Sequence, residues 1–128
     1  MIEPQTIIQA FLAADSGLSA LTSSRIYAGR DVPPKGYDPA DGAAVAFRVR
    51  GGFHDYDDAL LVPSVQFKCY GASEVAAYAC YRALVDALHN GYSATILHGE
   101  EETIGQSLEE TGTEWRFVLC HFMVHIRQ

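Results

Sequence analysis

Residues 60–91, LLVPSVQFKCYGASEVAAYACYRALVDALHNG, decide the fold, because two hydrophobic periods meet in them across a clean boundary. Val65, Phe67 and Cys69 alternate with Gln66, Lys68 and Tyr70, the period of a half-buried strand. Gly71 ends that strand, Ser73 can accept from the free amides of a new helix, and Glu74 suits the positive end of its dipole. From there Val75, Tyr78, Ala79, Cys80, Leu84, Val85 and Leu88 recur at helical spacing, and Asn90-Gly91 is a usual stop. A strand leading directly into an amphipathic helix is scaffold, so function is to be sought in the segments around it.

Upstream, proline at the first helical position and the stripe Ile7, Ile8, Phe11, Leu12 predict a helix from Glu3-Pro4 to about Asp15. Leu18 and Leu21 predict a second short helical turn, and Arg25-Ile26-Tyr27 a brief strand that Gly29 ends. RDVPPKGYDPADG, residues 30–42, carries three prolines and two glycines and reads as an exposed loop. Ala44 to Arg50 alternates again, with Val45, Phe47 and Val49 opposite Arg48 and Arg50. Residues 51–58, GGFHDYDD, would then join two antiparallel strands as a hairpin tip.

Downstream, residues 94–97 predict a short edge strand. Residues 99–114, GEEETIGQSLEETGTE, hold six acids and no base, which predicts an exposed excursion. Trp115 to Ile126 is apolar on both faces and belongs inside a sheet. The expected fold is therefore α+β: a single mixed, mainly antiparallel sheet with helices packed on one face, spanning residues 1–128 as one domain.

Composition narrows the function classes. With 48% apolar and 20% charged residues the chain has an ordinary globular balance, which argues against disorder. A formal charge of -7 argues against a surface that coats nucleic-acid phosphates, yet it suits a wall past which DNA slides without sticking. Cys69, Cys80 and Cys120 lie in apolar elements without a CxxC pair, which fits reduced thiols. The N-terminus lacks the basic flank of a secretion signal, and no stretch reaches the roughly 18 apolar residues of a membrane span, so no membrane partner is expected.

Candidate chemistry is sparse. His121 and His125 share a strand face and His98 could lie near them, but the spacing matches no metal motif, and no metal or cofactor is expected. Each cysteine sits where burial blunts a thiol, and no nucleophile elbow, phosphate loop or dinucleotide fingerprint occurs, so no catalytic residue and no enzyme is expected. Phe53, His54, Asp55, Tyr56, Asp57 and Asp58 form either a plain hairpin tip or a partner-binding finger. Glu100, Glu101, Glu102, Glu109 and Glu110 form either a solvated face or, repeated around a ring, a field facing a lumen or a partner. Arg48 and Arg50 are either solvated or paired with acids of a neighbouring subunit.

The order FLAADSGLSAL, SRIYAG, a Pro-rich loop, VQFKCYGAS, EVAAYACYRALVDALHNG, an acidic segment and EWRFVLCHFMVHI resembles the tail terminator, or tail completion, proteins of long-tailed (siphovirus-like) bacteriophages. The resemblance runs over nearly the whole chain and rests on element order and short signatures, with no catalytic motif. It implies a virion protein assembled in the host cytoplasm as a homo-hexameric ring on the head-proximal end of the tail tube. Such a ring would end tube polymerisation and offer a docking surface to the head-tail connector protein, with genomic DNA passing through its lumen. Two alternatives stand beside it. One is a head-tail connector component of the neck. The other is a small cytosolic α+β enzyme or ligand-binding domain, which would need a concave pocket lined by His98, His121 and His125.

Overall fold

The computed structural model describes residues 3–54, 60–91, 93 and 95–127. Three helices, α1 (Pro4–Ala14), α2 (Ser16–Thr22) and α3 (Glu74–Asn90), accompany five strands, β1 (Ile26–Ala28), β2 (Ala44–His54), β3 (Leu60–Gly71), β4 (Ile96–Glu109) and β5 (Arg116–Arg127). The strands form one sheet in the order β1-β2-β3-β5-β4. Only β1 with β2 is parallel; the other three pairings are antiparallel, so the sheet is mixed and mainly antiparallel as expected. No helix among the described residues is long and apolar enough to cross a membrane.

The helix boundaries follow from side-chain capping. Glu3 accepts from the amides of Gln5 (2.6 Å) and Thr6 (3.0 Å) to open α1. Asp15 ends α1 and starts α2, its carboxylate accepting from the Leu18 amide at 2.9 Å. Ser73 caps α3 through the Ala76 amide at 3.2 Å. Gly91 ends α3, but with φ -85° rather than left-handed backbone. It is close approach that calls for glycine there, since a Cβ would lie 2.5 Å from the Ala87 carbonyl oxygen and 3.0 Å from the Phe11 ring.

All three helices pack on one face of the sheet, over Val45, Phe47, Val65, Phe67, Cys69, Val118, Cys120, Phe122, Val124 and Ile126. From α3 that core receives Ala77, Cys80, Tyr81, Leu84, Ala87 and Leu88. The helical stripe is thus rotated from the one the sequence predicts: Val75 stands 77% exposed while Tyr81 is buried. A helix presents whichever 100° arc its neighbours cover, and small Ala77 and Ala87 let the backbone come close to the sheet.

The opposite sheet face is not bare. Residues 30–42, expected as an exposed loop, cross one end of it and include a short 3-10 turn, Pro39–Asp41. Tyr37 packs edge-on against Trp115 (5.4 Å) and Tyr70 (6.4 Å), and its hydroxyl donates to the Gly42 carbonyl at 2.7 Å. Tyr70 points away from the helices as the alternation requires, yet this cluster buries it completely.

Two further expectations need correction. The strand after Ala44 does not stop at Arg50 but continues to His54 through a bulge at Gly51-Gly52. Gly52 has φ +131°, and a Cβ on it would lie 2.2 Å from the Val62 carbonyl oxygen. Pro63 opposite it cannot donate to the ladder, which is why the irregularity falls there. The second correction is larger: β4 runs fourteen residues, Ile96–Glu109, so most of the acidic segment is a sheet edge rather than an excursion. β5 lies between β3 and β4, inside the sheet as expected.

Candidate functional site

The hairpin finger divides on inspection. Phe53 and His54 belong to β2, paired with Val62 and Leu61, while Asp55, Tyr56, Asp57 and Asp58 lie outside the described residues. Phe53 is 55% exposed beside a groove of about 250 Å³ that Val49, Leu61, Pro63 and Pro4 also line. An aromatic side chain beside an apolar groove is suited to contact area, at a rim rather than on a flexible stem.

The acids of β4 are dispersed by the pleat, which sends neighbouring side chains to opposite faces. Glu101 turns toward the helices and accepts from the Tyr81 hydroxyl, while that hydroxyl accepts from the Gly105 amide at 2.9 Å. Burial, followed by the bond to Glu101, pushes the Tyr81 hydroxyl up to about 12. Glu102 turns to the other face, where Ser64 donates to it at 2.6 Å and Arg50 stands 3.6 Å away. Glu109 pairs with Arg116 at 3.3 Å, and Glu110 accepts from Tyr70 at 3.2 Å. Glu100 remains the most solvated of these, near His98 and His125.

Self-repulsion, which predicts an excursion, is therefore relieved by partners drawn from β2, β3, β5 and α3. A second consequence concerns the strand face of Arg48 and Arg50. Arg48 pairs with Asp31 at 2.6 Å and Arg50 with Glu102, so both find acids within their own chain.

The histidines separate into two places. His98 and His125 have ring centroids 6.0 Å apart, with His89 of α3 5.8 Å from His98. Glu100 oxygens lie 3.7 and 3.8 Å from their Nε2 atoms, and the Nε2 of His125 is buried without a hydrogen-bond partner among the described residues. His121 instead contacts the Thr103 hydroxyl through Nδ1 at 3.1 Å, and burial and then Arg50 lower its pKa. No described group of three or more such ligands is arranged to hold a metal ion. None of these histidines lines the concavity of about 470 Å³ formed by Ile7, Ala10, Phe11 and Ala14 of α1 with Gly91, Ser93 and Thr95.

Cys69, Cys80 and Cys120 are free and buried together under the helices. The Cys69 thiol is pushed well up by its two cysteine neighbours and by burial, the opposite of what a nucleophile requires. What the architecture offers outward is the β4 sheet edge, a rim groove at Phe53 and a set of exposed apolar side chains, whereas α1 covers the β1 edge and Gln9 donates to the Ile26 carbonyl at 2.8 Å. Sequence pattern missed the exposed Val75 and the buried Tyr81, because helical spacing marks an apolar arc without saying which part of it a neighbour covers.

No protein-family model matches the chain, and no curated protein does. The fold, however, is similar to that of a virion chain. A chain in the structure "Virion of native gene transfer agent (GTA) particle" aligns with TM-score 0.66 at 17% identity, over 98% of this chain and 95% of that one. At that identity the likeness establishes a shared fold, and the alignment leaves almost no part of either chain unmatched.

Proposed function

We propose that this chain is a structural protein of a phage-like virion, with no catalytic role and no cofactor. In this reading copies of it form a ring, six in number, at the head-proximal end of the tail tube. The ring ends tube polymerisation, docks the head-tail connector and lets DNA pass through its lumen. The observation that carries the proposal is the near end-to-end likeness to a chain of the gene transfer agent virion. The tail terminator resemblance of the sequence supports the finer assignment. The surplus of acids, -7 over the chain, suits a lumen that repels phosphates.

Electron microscopy of particles assembled without the protein tests the assignment. Tails of abnormal length that fail to join heads are the expected result. Tails of normal length left unjoined would move the protein to the neck as a connector component. Normal tails already joined to heads would overturn the proposal.

A further inference from the structure

The opening of β4 carries a cluster of side chains that the ring reading leaves unused. Pairing with β5 shifts register between Ile96 and His98. Past the shift His98 stands opposite His125, and Glu100, two residues further on, lies on the same face of the pleat. One oxygen of Glu100 is 3.7 Å from the Nε2 of His98 and the other is 3.8 Å from the Nε2 of His125. The carboxylate thus spans both rings, at distances just beyond a hydrogen bond. The Nε2 of His125 is buried and lacks a hydrogen-bond partner among the described residues. Buried polar atoms are paired almost everywhere in folded proteins, so an unpaired one calls for an explanation.

The charges around these two rings come from four directions. On α3, His89 has its ring 5.8 Å from that of His98, and Asp86 lies nearly one turn before it. On β5, the exposed Arg127 follows His125 on the same face, while His121 precedes it and is held by Thr103, with Arg50 and Glu102 near. On α1, Asp15 lines the concavity that includes Thr95, just before β4. β3 brings residues 61–64 alongside this part of β5, and none of them is titratable. Within β4, Glu101 is turned to Tyr81 and Glu102 is engaged by Ser64 and Arg50. Glu100 is therefore the acid that faces the two imidazoles among the described residues.

We propose that His98, His125 and Glu100 form a proton-operated clasp that ties the start of edge strand β4 to β5. A neutral imidazole has one N–H and no charge, and the 62% exposed Glu100 side chain then has little to hold it. A protonated imidazole donates from both nitrogens and is positive, so closing by about 1 Å gives a charge-assisted hydrogen bond of ordinary length. The Nε2 of His125 gains the partner it lacks. A second proton must share the same carboxylate, and charge on His89 opposes charge on His98, so the clasp closes on the first proton. Its contribution is present below the ordinary imidazole value of about 6.5 and is lost as pH rises through that range. β4 is the open edge of the sheet, and the register shift interrupts its ladder at this point, so the clasp sets how firmly that edge begins. This inference does not depend on the ring reading.

Double-mutant cycles read by denaturant unfolding of the full chain, at about pH 5.5 and about pH 8, test the clasp. One cycle pairs Glu100→Gln with His125→Gln, and a second pairs Glu100→Gln with His98→Gln. In both, coupling of about two- to fivefold in the folding constant is expected at the lower pH, as for a partly exposed ion pair, and none at the higher. Amide exchange, corrected for its intrinsic pH dependence, gives a local readout on wild type and on Glu100→Gln alone, whose exposed side chain can change without loss of the fold. Residues 98–100 should be better protected at the lower pH in wild type, Glu100→Gln should remove that difference, and residues 106–109 should not respond. Coupling absent from the His125 cycle at the lower pH, or equal at both, would overturn the clasp, as would protection at residues 98–100 that ignores pH. Either result leaves the ring reading to the particle experiment.

Discussion

Tyr81→Phe isolates the contact that makes the acidic segment a strand. Its hydroxyl is the only group removed, yet it joins two elements: it lies on α3, donates to Glu101 and accepts from the Gly105 amide, both on β4. A hydrogen bond to a charged group contributes about 1.5–3 kcal/mol and a neutral one about 1 kcal/mol. Glu101 is half-buried and can regain water, so the lower end applies and the sum is about 2.5 kcal/mol. For a chain of 128 residues, an unfolding entropy of roughly 2.1 cal/mol/K per residue makes that loss about 9 °C in Tm. Amide exchange should quicken most at Gly105 and its β4 neighbours, with β3 and β5 little changed below global unfolding. Tyr78→Phe serves as the control, since it alters an adjacent ring that touches Tyr81 edge-on at 6.1 Å, and should cost less than about 0.5 kcal/mol. A Tyr81→Phe protein with unaltered Tm and unaltered β4 exchange would refute the reasoning and return residues 99–109 to the status of a loosely held edge.

Gly105→Ala attacks the same junction from the other side: the new Cβ would stand 2.7 Å from both the Tyr81 ring and a Val118 methyl, and overpacking should cost about 1–3 kcal/mol by denaturant unfolding, whereas equal stability would show that the junction yields freely. Asp31→Ala removes an ion pair whose two side chains are about half exposed (51% and 48%), so despite its 2.6 Å length stability should change by less than about 0.5 kcal/mol; a loss above about 1 kcal/mol would mean the pair anchors the 30–42 segment. Burial holds Tyr37 and Tyr81 at about 12 and Tyr70 higher still, so the folded state keeps these protons more tightly than the unfolded chain. The stability they contribute is complete below the ordinary tyrosine value of about 10 and should drain away as pH rises from there through 12, and a denaturation midpoint flat across that window would contradict their burial. The lysine reversal of Glu100, Glu101 and Glu102 together should destabilise the fold as well as assembly, because Glu101 serves Tyr81; single reversal of Glu100, by contrast, should leave Tm within about 2 °C.

Period and capping carry local information, and where structure is local the sequence determined it. The strand ending at Gly71, the Ser73 cap, the paired short helices around Asp15, the hairpin and the interior position of the last strand all follow from side chains within a few residues of one another. Tertiary structure alone decided three things. The acidic stretch became an edge strand because Arg50, Ser64, Arg116, Tyr70 and Tyr81, distant in sequence, take up its carboxylates, and backbone pairing with β5 supplies a ladder that composition does not record. The buried arc of α3 shifted from Val75 to Tyr81 because periodicity defines an apolar arc, while the sheet beneath chooses which part is covered. The Pro-rich segment closed over Tyr70 because Tyr37 and Trp115, seventy-eight positions apart, stack edge-on there. Patterning along a chain can specify where strands and helices begin. Which faces and edges stay open, and so where a second copy can dock, depends on contacts between residues that the chain brings together only when it folds.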